Sequence, residues 1–192
     1  MRDLVKMVVV LTVICGASGF VLSYVNEATK APREYQLLKY VQEPSIKAVL
    51  PEYDNDPIKD RVEMDAGKDA KGQPVKRNIF PAKQGGKTVA VAYGSAANGY
   101  HGPIDVMVGI DGEGNLTGIS IMTHTETPGL GARVVEPGFT GQFEGLQPGQ
   151  VKLAAEGGKV DAISGATLSS KGVVTAVRQA IEFFPQVKKE VF

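Results

Sequence analysis

The sequence contains very few of the residues that bind metals or form disulfides. Its 192 residues include one cysteine, Cys15, two histidines, His101 and His124, and no tryptophan. A single cysteine cannot form an intrachain disulfide, and this set of ligands is too small for a Cys- or His-rich zinc or iron–sulfur site. We therefore expect no metal centre, and any redox chemistry would need an organic cofactor.

Neither sign of charge is in excess. The 21 Lys and Arg residues balance 21 Asp and Glu residues, and the basic stripe expected of a nucleic-acid-binding protein is missing. There is no GxxxxGK[ST] or GxSxG motif, and Gly112 and Gly114 lie in a predicted hairpin turn rather than between a strand and a helix. These absences argue against nucleic-acid binding and against a conventional dehydrogenase, ATPase or hydrolase.

One long apolar run is present, over residues 7–25, and it carries no charge. A helix of this length matches the hydrocarbon core of a bilayer. Arg2 and Lys6 precede the run, which predicts that residues 1–6 lie in the cytoplasm and that the chain after the run lies on the outer side. We predict a single-pass anchor in a bacterial or archaeal cytoplasmic (inner) membrane.

Two other interpretations of this run are less favoured. The small residues at 16–19 are compatible with a cleaved signal peptide, but the apolar run continues through Phe20 and Leu22. Cys15 could carry a lipid, but the bulky Ile14 precedes it where a small residue is usual. Both observations favour an uncleaved helix that binds the lipid bilayer directly.

The remaining chain divides into two regions. Residues 26–86 are predicted to form a helical connector and, at 54–83, an irregular excursion or hairpin outside the core, because this part is rich in Asp, Lys, Gly and Pro. Residues 87–192 are predicted to form the domain core. Alternating apolar residues on both sides of a turn at 111–115 predict a β-hairpin over 103–123.

The end of the chain is predicted to be a helix. Val173, Val177, Ala180 and Phe184 recur at helical spacing, and Pro185 is predicted to end the element. Short strands are expected at 151–153 and 159–161 from their alternating apolar pattern. The fold class is therefore α+β, an antiparallel sheet with flanking helices, which follows one transmembrane helix.

The segment Asp161 to Thr167 lies where a short strand meets this helix. Ser164 or Asp161 is predicted to cap the helix, which places Thr167 in or near its first turn. Free N–H groups and the positive end of the helix dipole favour an anion there. Gly165 and Ala166 are small enough for a phosphoryl group to reach the backbone and the Thr167 hydroxyl. A plain helix cap without a ligand is the alternative.

Three segments of the sequence resemble a known family. Ser-Gly-Ala-Thr at 164–167, with Asp161 three residues before it, resembles the flavinylation motif of the FMN-binding domain. The segment 124–131 resembles the HxETPGLG loop near the flavin in that family, and 99–104 resembles its GYxGPI stretch. The domain occurs in the G subunit of Rnf ion-translocating oxidoreductases and in the C subunit of sodium-pumping NADH:quinone reductases. Residues 54–83 match none of its motifs.

The resemblance implies an FMN esterified through its phosphate to the Thr167 side chain by a separate flavin transferase that uses FAD as donor. It also implies a set of cofactor-binding residues: Asp161, Ser164, Gly165, Ala166, His124, Glu126, Thr127, Pro128, Gly129, Leu130, Gly131 and Lys171.

Specific roles are expected for some members of this set. Pro128, Gly129 and Gly131 would form a tight turn against the ring, and Leu130 would lie against its apolar part. Lys171 either helps neutralise the phosphate or faces solvent. His124 and Glu126 could form an acid–base pair, but a loop-shaping role is favoured because an electron carrier needs no proton-transfer residue.

The function implied is that of the G subunit of an Rnf-type complex, which moves electrons between ferredoxin and NAD and couples this to ion translocation. The chain would be an electron relay without a catalytic site of its own, and its partners would be the other subunits. The alternatives are the C subunit of the quinone reductase, whose chains are typically longer, a stand-alone anchored flavoprotein, and a flavin-free anchored scaffold. The apolar pattern is complete without FMN, so the domain is expected to fold without it.

Overall fold

The computed structural model describes residues 2–37, 40, 42–68 and 74–192. The chain forms two compact units, Met1–Tyr40 and Val41–Phe192. The first unit contains one helix, and the second contains a five-stranded sheet with helices.

Helix α1 (Arg2–Leu37) forms the first unit. Its segment Arg2–Thr29 has a mean hydropathy of 2.2 and is long and apolar enough to cross a membrane. Large side chains such as Leu11 and Phe20 are 66% and 74% exposed. The Thr12 hydroxyl donates to the Val8 carbonyl at 2.8 Å, so this polar group needs no water. The predicted apolar helix over 7–25 therefore lies wholly within α1.

The second unit is built on an antiparallel sheet whose spatial order follows the sequence. Its strands are β1 (Val62–Lys68), β2 (Pro74–Gln84), β3 (Lys87–Asn98), β4 (Pro103–Asp111) and β5 (Leu116–Thr123). Strands β4 and β5 confirm the predicted hairpin at 103–123, with Val108 opposite Ile119. The Asp111 carboxylate stabilises the turn by accepting hydrogen bonds from the N–H groups of Glu113 and Asn115, both at 2.9 Å.

Helices cover both faces of the sheet. Helix α4 (Thr167–Val191) packs against β3 and β4, and the fully buried Tyr93 donates its hydroxyl proton to the Ala180 carbonyl at 2.8 Å. Helix α2 (Glu43–Val49) packs against β5 and β4 and buries Ile46. Ala92, which precedes Tyr93 and faces the other side of β3, is also fully buried. The sheet is thus the central layer of an α+β domain.

The prediction that 54–83 lies outside the core is wrong. Its described residues from Val62 onwards belong to the hairpin β1–β2, and Ile79 and Phe80 are buried; residues 69–73 of that prediction lie outside the described residues. Pro81, one of the prolines in this region, lies beyond Ile79, the last β2 residue paired with β1. Beyond Ile79, β2 has no β1 residue beside it, so the N–H that proline lacks would not have bonded to β1 there.

Pro185 does not end the last helix, contrary to prediction. Helix α4 continues through it to Val191. The last turns are held by tertiary contacts: Val187 is fully buried, and the Thr88 hydroxyl donates to the Val191 carbonyl at 2.9 Å. These contacts offset the single hydrogen bond that a proline removes from a helix.

The segment between β5 and α4 contains short helical turns rather than the two predicted strands. The turns are Gly131–Val135, helix α3 (Pro137–Thr140), Gly141–Phe143, Pro148–Gln150 and Ala154–Glu156. Of the strands expected at 151–153 and 159–161, the structure has only an isolated parallel bridge between Leu153 and Val160. The apolar residues are nevertheless buried, because Phe143, Val151 and Val160 belong to the core on the α4 side.

Candidate functional site

The start of α4 is fixed by a turn and a buried serine. Ser164 and Gly165 form the turn, with Gly165 at φ +80°, a backbone conformation that glycine adopts without steric cost. The fully buried Ser170 hydroxyl accepts a hydrogen bond from the Ile163 N–H and donates one to the Ala166 carbonyl, each at 3.0 Å. The motif is therefore attached to the helix that follows it. Ser170 was not among the predicted site residues, although a serine pair opening an otherwise apolar helix is a detectable signal.

The predicted side-chain cap is wrong. Ala166 occupies the N-cap position, and no side chain caps the helix start among the described residues. Ser164 and Asp161 are exposed, and the Asp161 N–H donates instead to the Gln142 side chain at 2.7 Å. The first N–H groups of a helix lack intrahelical partners. The start of α4 is therefore open to an anion, with the exposed Thr167 as its first residue.

Glu126 is a carboxylate buried beside this helix start. It is 4% exposed. Its Oε1 accepts hydrogen bonds from the N–H groups of Tyr100 and His101 at 2.9 and 3.0 Å, and its Oε2 accepts one from the Ser169 hydroxyl at 2.5 Å. Burial alone would raise the pKa of Glu126, but these hydrogen bonds outweigh it and hold the pKa below the usual value. The group is therefore ionised at neutral pH.

Two glycines leave room for this carboxylate. A Cβ on Gly99 would lie 2.5 Å from Glu126 Oε1, and a Cβ on Gly131 would lie 2.6 Å from Oε2. Either contact is shorter than real Cβ atoms allow, so both positions require glycine for close approach. Both glycines thus leave room for the buried Glu126, and also for the Ile104 side chain at Gly99 and the Ser169 hydroxyl at Gly131.

A cavity of about 470 Å³ opens at the start of α4. It is lined by Tyr100, Glu126, Thr127, Leu130, Gly131, Gly165, Ala166, Thr167, Leu168 and Ser169. All but Tyr100, Leu168 and Ser169 were predicted as site residues. Tyr100, Leu130 and Leu168 are 65%, 49% and 55% exposed. Large apolar side chains are thus available to contact a flat ring.

The comparison with known proteins agrees with this location. The sequence profile of the FMN-binding domain matches residues 99–182, which contain the whole cavity lining. The chain is 32% identical over 185 residues to the G subunit of the ion-translocating oxidoreductase complex of Methanosarcina acetivorans, and the match covers 95% of each chain. The chain belongs to this family of G subunits. The family assignment and the α+β fold with an FMN-binding domain are thereby confirmed.

Two further relatives extend the comparison. The chain is 30% identical over 178 residues to the G subunit of the proton-translocating ferredoxin:NAD(+) oxidoreductase complex of Clostridium ljungdahlii. The match covers 90% of this chain and 86% of the relative. The crystal structure of NqrC from Shewanella oneidensis has a TM-score of 0.54 at 24% identity, over 72% of this chain and 74% of that one. The likeness to NqrC supports the assignment of the α+β fold.

Several predicted site residues do not line the cavity. Pro128 and Gly129 form a tight turn next to it, with the Leu130 N–H bonded to the Thr127 carbonyl at 3.2 Å. Lys171 Nζ lies 3.0 Å from Glu156 Oε1 in an exposed ion pair. Asp161 and Ser164 are also absent from the lining.

His124 likewise lies outside the lining. Its Nδ1 accepts a hydrogen bond from the Glu126 backbone N–H at 3.2 Å, so the histidine contacts the main chain of Glu126. The Glu126 carboxylate points to Ser169 and to two backbone N–H groups instead. This geometry favours the loop-shaping interpretation over an acid–base pair.

Proposed function

We propose that this chain carries an FMN, esterified through its phosphate to Thr167, as an electron relay of an Rnf-type ion-translocating complex. One observation carries the proposal. The exposed Thr167 begins an uncapped helix and lines the cavity of an FMN-binding domain.

The phosphate fits the start of α4. The backbone N–H groups of Thr167, Leu168 and Ser169 have no partner within the helix, and the helix dipole adds positive potential at this end. Gly165 itself has no side chain that would obstruct a phosphoryl group. Lys171 pairs with Glu156 instead of reaching towards this end, so its role in neutralising the phosphate stays a prediction.

The exposed Thr167 also suits attachment by another enzyme. The Thr167 oxygen would attack the FMN phosphorus of FAD, form the new P–O bond and displace AMP, while its hydroxyl proton passes to a base of the flavin transferase. The transferase would supply that base and activation. Because Thr167 and its neighbour Leu168 are exposed, this step requires no unfolding of the domain.

The cavity walls suit the ring of the cofactor. Tyr100, Leu130 and Leu168 would provide apolar contacts, and Thr127 and the backbone would provide polar ones. Bound FMN supplies reversible acceptance of electrons, and the chain holds and orients it. No catalytic acid or base of the protein is required for that role.

Helix α1 would anchor the protein in the membrane. Its exposed apolar side chains would aggregate in water but are stable in lipid. Arg2 and Lys6 favour a cytoplasmic N-terminus, which would place the FMN domain on the outer side. The names of the G-subunit relatives support a partnership with other subunits that move electrons between ferredoxin and NAD and translocate ions.

The rival functions have less support. The C subunit of the sodium-pumping quinone reductase shares the fold, but the relatives that cover most of the chain are G subunits. A stand-alone anchored flavoprotein would use the same chemistry without those partners. A flavin-free scaffold would leave the uncapped helix start and its cavity without a role.

The test is direct attachment of FMN. The full chain would be exported from cells that contain an active flavin transferase, beside Thr167→Val. We expect the denatured wild type to fluoresce on a gel under ultraviolet light and to gain the mass of one FMN less one water. Thr167→Val should show neither signal, because valine keeps the shape of threonine and removes the hydroxyl.

Thr175→Val is the matched control, since Thr175 is exposed on the same helix and its hydroxyl bonds to the Lys171 carbonyl, away from the cavity. It should retain full labelling. Unlabelled wild type, with the transferase active on another substrate, would contradict the proposal. Labelled Thr167→Val would move the attachment to a different residue.

A further inference from the structure

Glu126 connects the three chain segments that line the cavity. Its side chain starts in the loop after β5 and reaches the β3–β4 loop through the N–H groups of Tyr100 and His101. It also reaches the first turn of α4 through Ser169. These segments lie 26 and 43 residues away along the chain. No other described residue that lines the cavity has a side chain hydrogen-bonded to both of the other two segments.

Among the described residues, each hydrogen bond to the Glu126 carboxylate is donated by a protein group. Two come from backbone N–H groups and one from a hydroxyl. A backbone N–H group can only donate a hydrogen bond, so Oε1 must be the acceptor, as an oxygen of an ionised carboxylate is. The side chain could turn towards the cavity only if these three hydrogen bonds were broken. Proton transfer between Glu126 and a ligand is therefore disfavoured.

Glu126 is also the only charged side chain among the described residues that line the cavity. A buried charge acts on its surroundings more strongly than an exposed one, because less water screens it. Reduction adds electrons to a flavin, and a fixed negative charge close by opposes that addition.

We infer that Glu126 is a positioning residue that joins the three walls of the cavity and, as a fixed negative charge in the wall, lowers the reduction potential of bound FMN. The second part rests on the proposed function. The first part concerns the protein alone and is independent of FMN.

Two substitutions separate the hydrogen bonds from the charge. In Glu126→Gln, the amide oxygen can still accept from Tyr100 and His101, and the amide NH₂ can donate to the Ser169 oxygen. This variant loses the charge and keeps the connections. Glu126→Ala loses both. Glu182→Gln is the control, since it removes the same charge from an exposed site on α4, about 20 Å along the helix from Ser169.

The first measurement is backbone amide exchange of the full chain in detergent, without flavin, at neutral pH. We expect the Tyr100 and His101 amides to exchange about tenfold faster or more in Glu126→Ala, because they lose their acceptor. In Glu126→Gln the change should stay within about threefold. Wild-type protection of both amides in Glu126→Ala would overturn the positioning role.

The second measurement is a reductive titration of the flavin-loaded proteins. We expect a higher reduction potential in Glu126→Gln than in the wild type, and no shift in Glu182→Gln. An unchanged potential in Glu126→Gln would overturn the electrostatic role, and it would do so even if Glu126→Ala failed to fold. Wild type without any attached flavin would instead refute the proposed function, while the exchange experiment would still decide the positioning role.

Discussion

At its C-terminal end helix α4 is packed and bonded to the rest of the domain, whereas at its N-terminal end it is open. Phe184 is 7% exposed and packs edge to face on Phe192, with ring centroids 6.1 Å apart. The Thr88 hydroxyl donates a hydrogen bond to the Val191 carbonyl. By contrast, the helix begins with the exposed Thr167 and Leu168 and has no side-chain cap among the described residues.

The difference between the two ends separates stability from function along one element. The covered C-terminal end contributes to folding, and the backbone groups left free there are carbonyls, which do not bind an anion. The open N-terminal end forgoes roughly 1 kcal/mol of capping free energy and keeps its N–H groups available to a ligand. We therefore expect substitutions at the C-terminal end to change the free energy of unfolding, and substitutions at the N-terminal end to change flavin attachment.

The largest effect on stability is expected from Phe184→Ala. The substitution removes a buried ring and its contact with Phe192, so the free energy of unfolding should fall by about 3–5 kcal/mol. Urea unfolding of the flavin-free protein in detergent, followed by circular dichroism, measures this. Gln179→Ala, exposed on the same helix, should change it by less than about 0.5 kcal/mol. A loss below about 1 kcal/mol in Phe184→Ala would show that the C-terminal end is not the stabilising one.

A smaller effect is expected from Gly172→Ala, between the two ends. Alanine is favoured over glycine in a helix by about 1 kcal/mol. However, the new Cβ would lie 2.8 Å from both the Asn98 carbonyl oxygen and Gly99 Cα. Both are backbone atoms, so α4 and the β3–β4 loop must move apart. This movement should cost about 1–3 kcal/mol of stability. The cost of overpacking should exceed the gain in helix propensity, so the free energy of unfolding should fall by on the order of 1 kcal/mol.

The same displacement should slow flavin attachment, because the β3–β4 loop carries Tyr100, which lines the cavity. Attachment would be timed with purified transferase and FAD. Thr175→Ala, on the exposed side of the helix one turn later, is the control and should keep the wild-type rate. A more stable Gly172→Ala protein would mean that the glycine is not required for close packing.

The parts of the fold that could be predicted from sequence have local signals. The apolar run of α1, the hairpin around residues 111–115 and the amphipathic start of α4 all follow from periodicity and turn residues. The continuation of α4 past Pro185 depends on Thr88, which lies 103 residues before its partner Val191. A pattern along the chain contains no information about that contact.

The site shows the same limit. Motif resemblance implied Thr167 as the attachment point and the loop that contains Glu126. Residue type favoured Ser164 or Asp161 as the cap, because serine and aspartate are common caps, but the turn places Ala166 at that position. Motif resemblance left that local geometry open. It also missed Ser169 and Tyr100, whose place in the cavity depends on hydrogen bonds to Glu126 across separate segments.

The smallest effect on stability is expected from Leu168→Ala at the open end of α4. Leu168 is 55% exposed, so truncating it in the flavin-free protein should change the free energy of unfolding by less than about 0.5 kcal/mol. The same urea titration measures it beside Phe184→Ala, which removes an apolar side chain from the opposite end. If Leu168→Ala lost more than about 1 kcal/mol, the N-terminal end would be stabilised by its own apolar contacts. If the loss stays small, Leu168 is free to contact a ligand, because the fold does not depend on it.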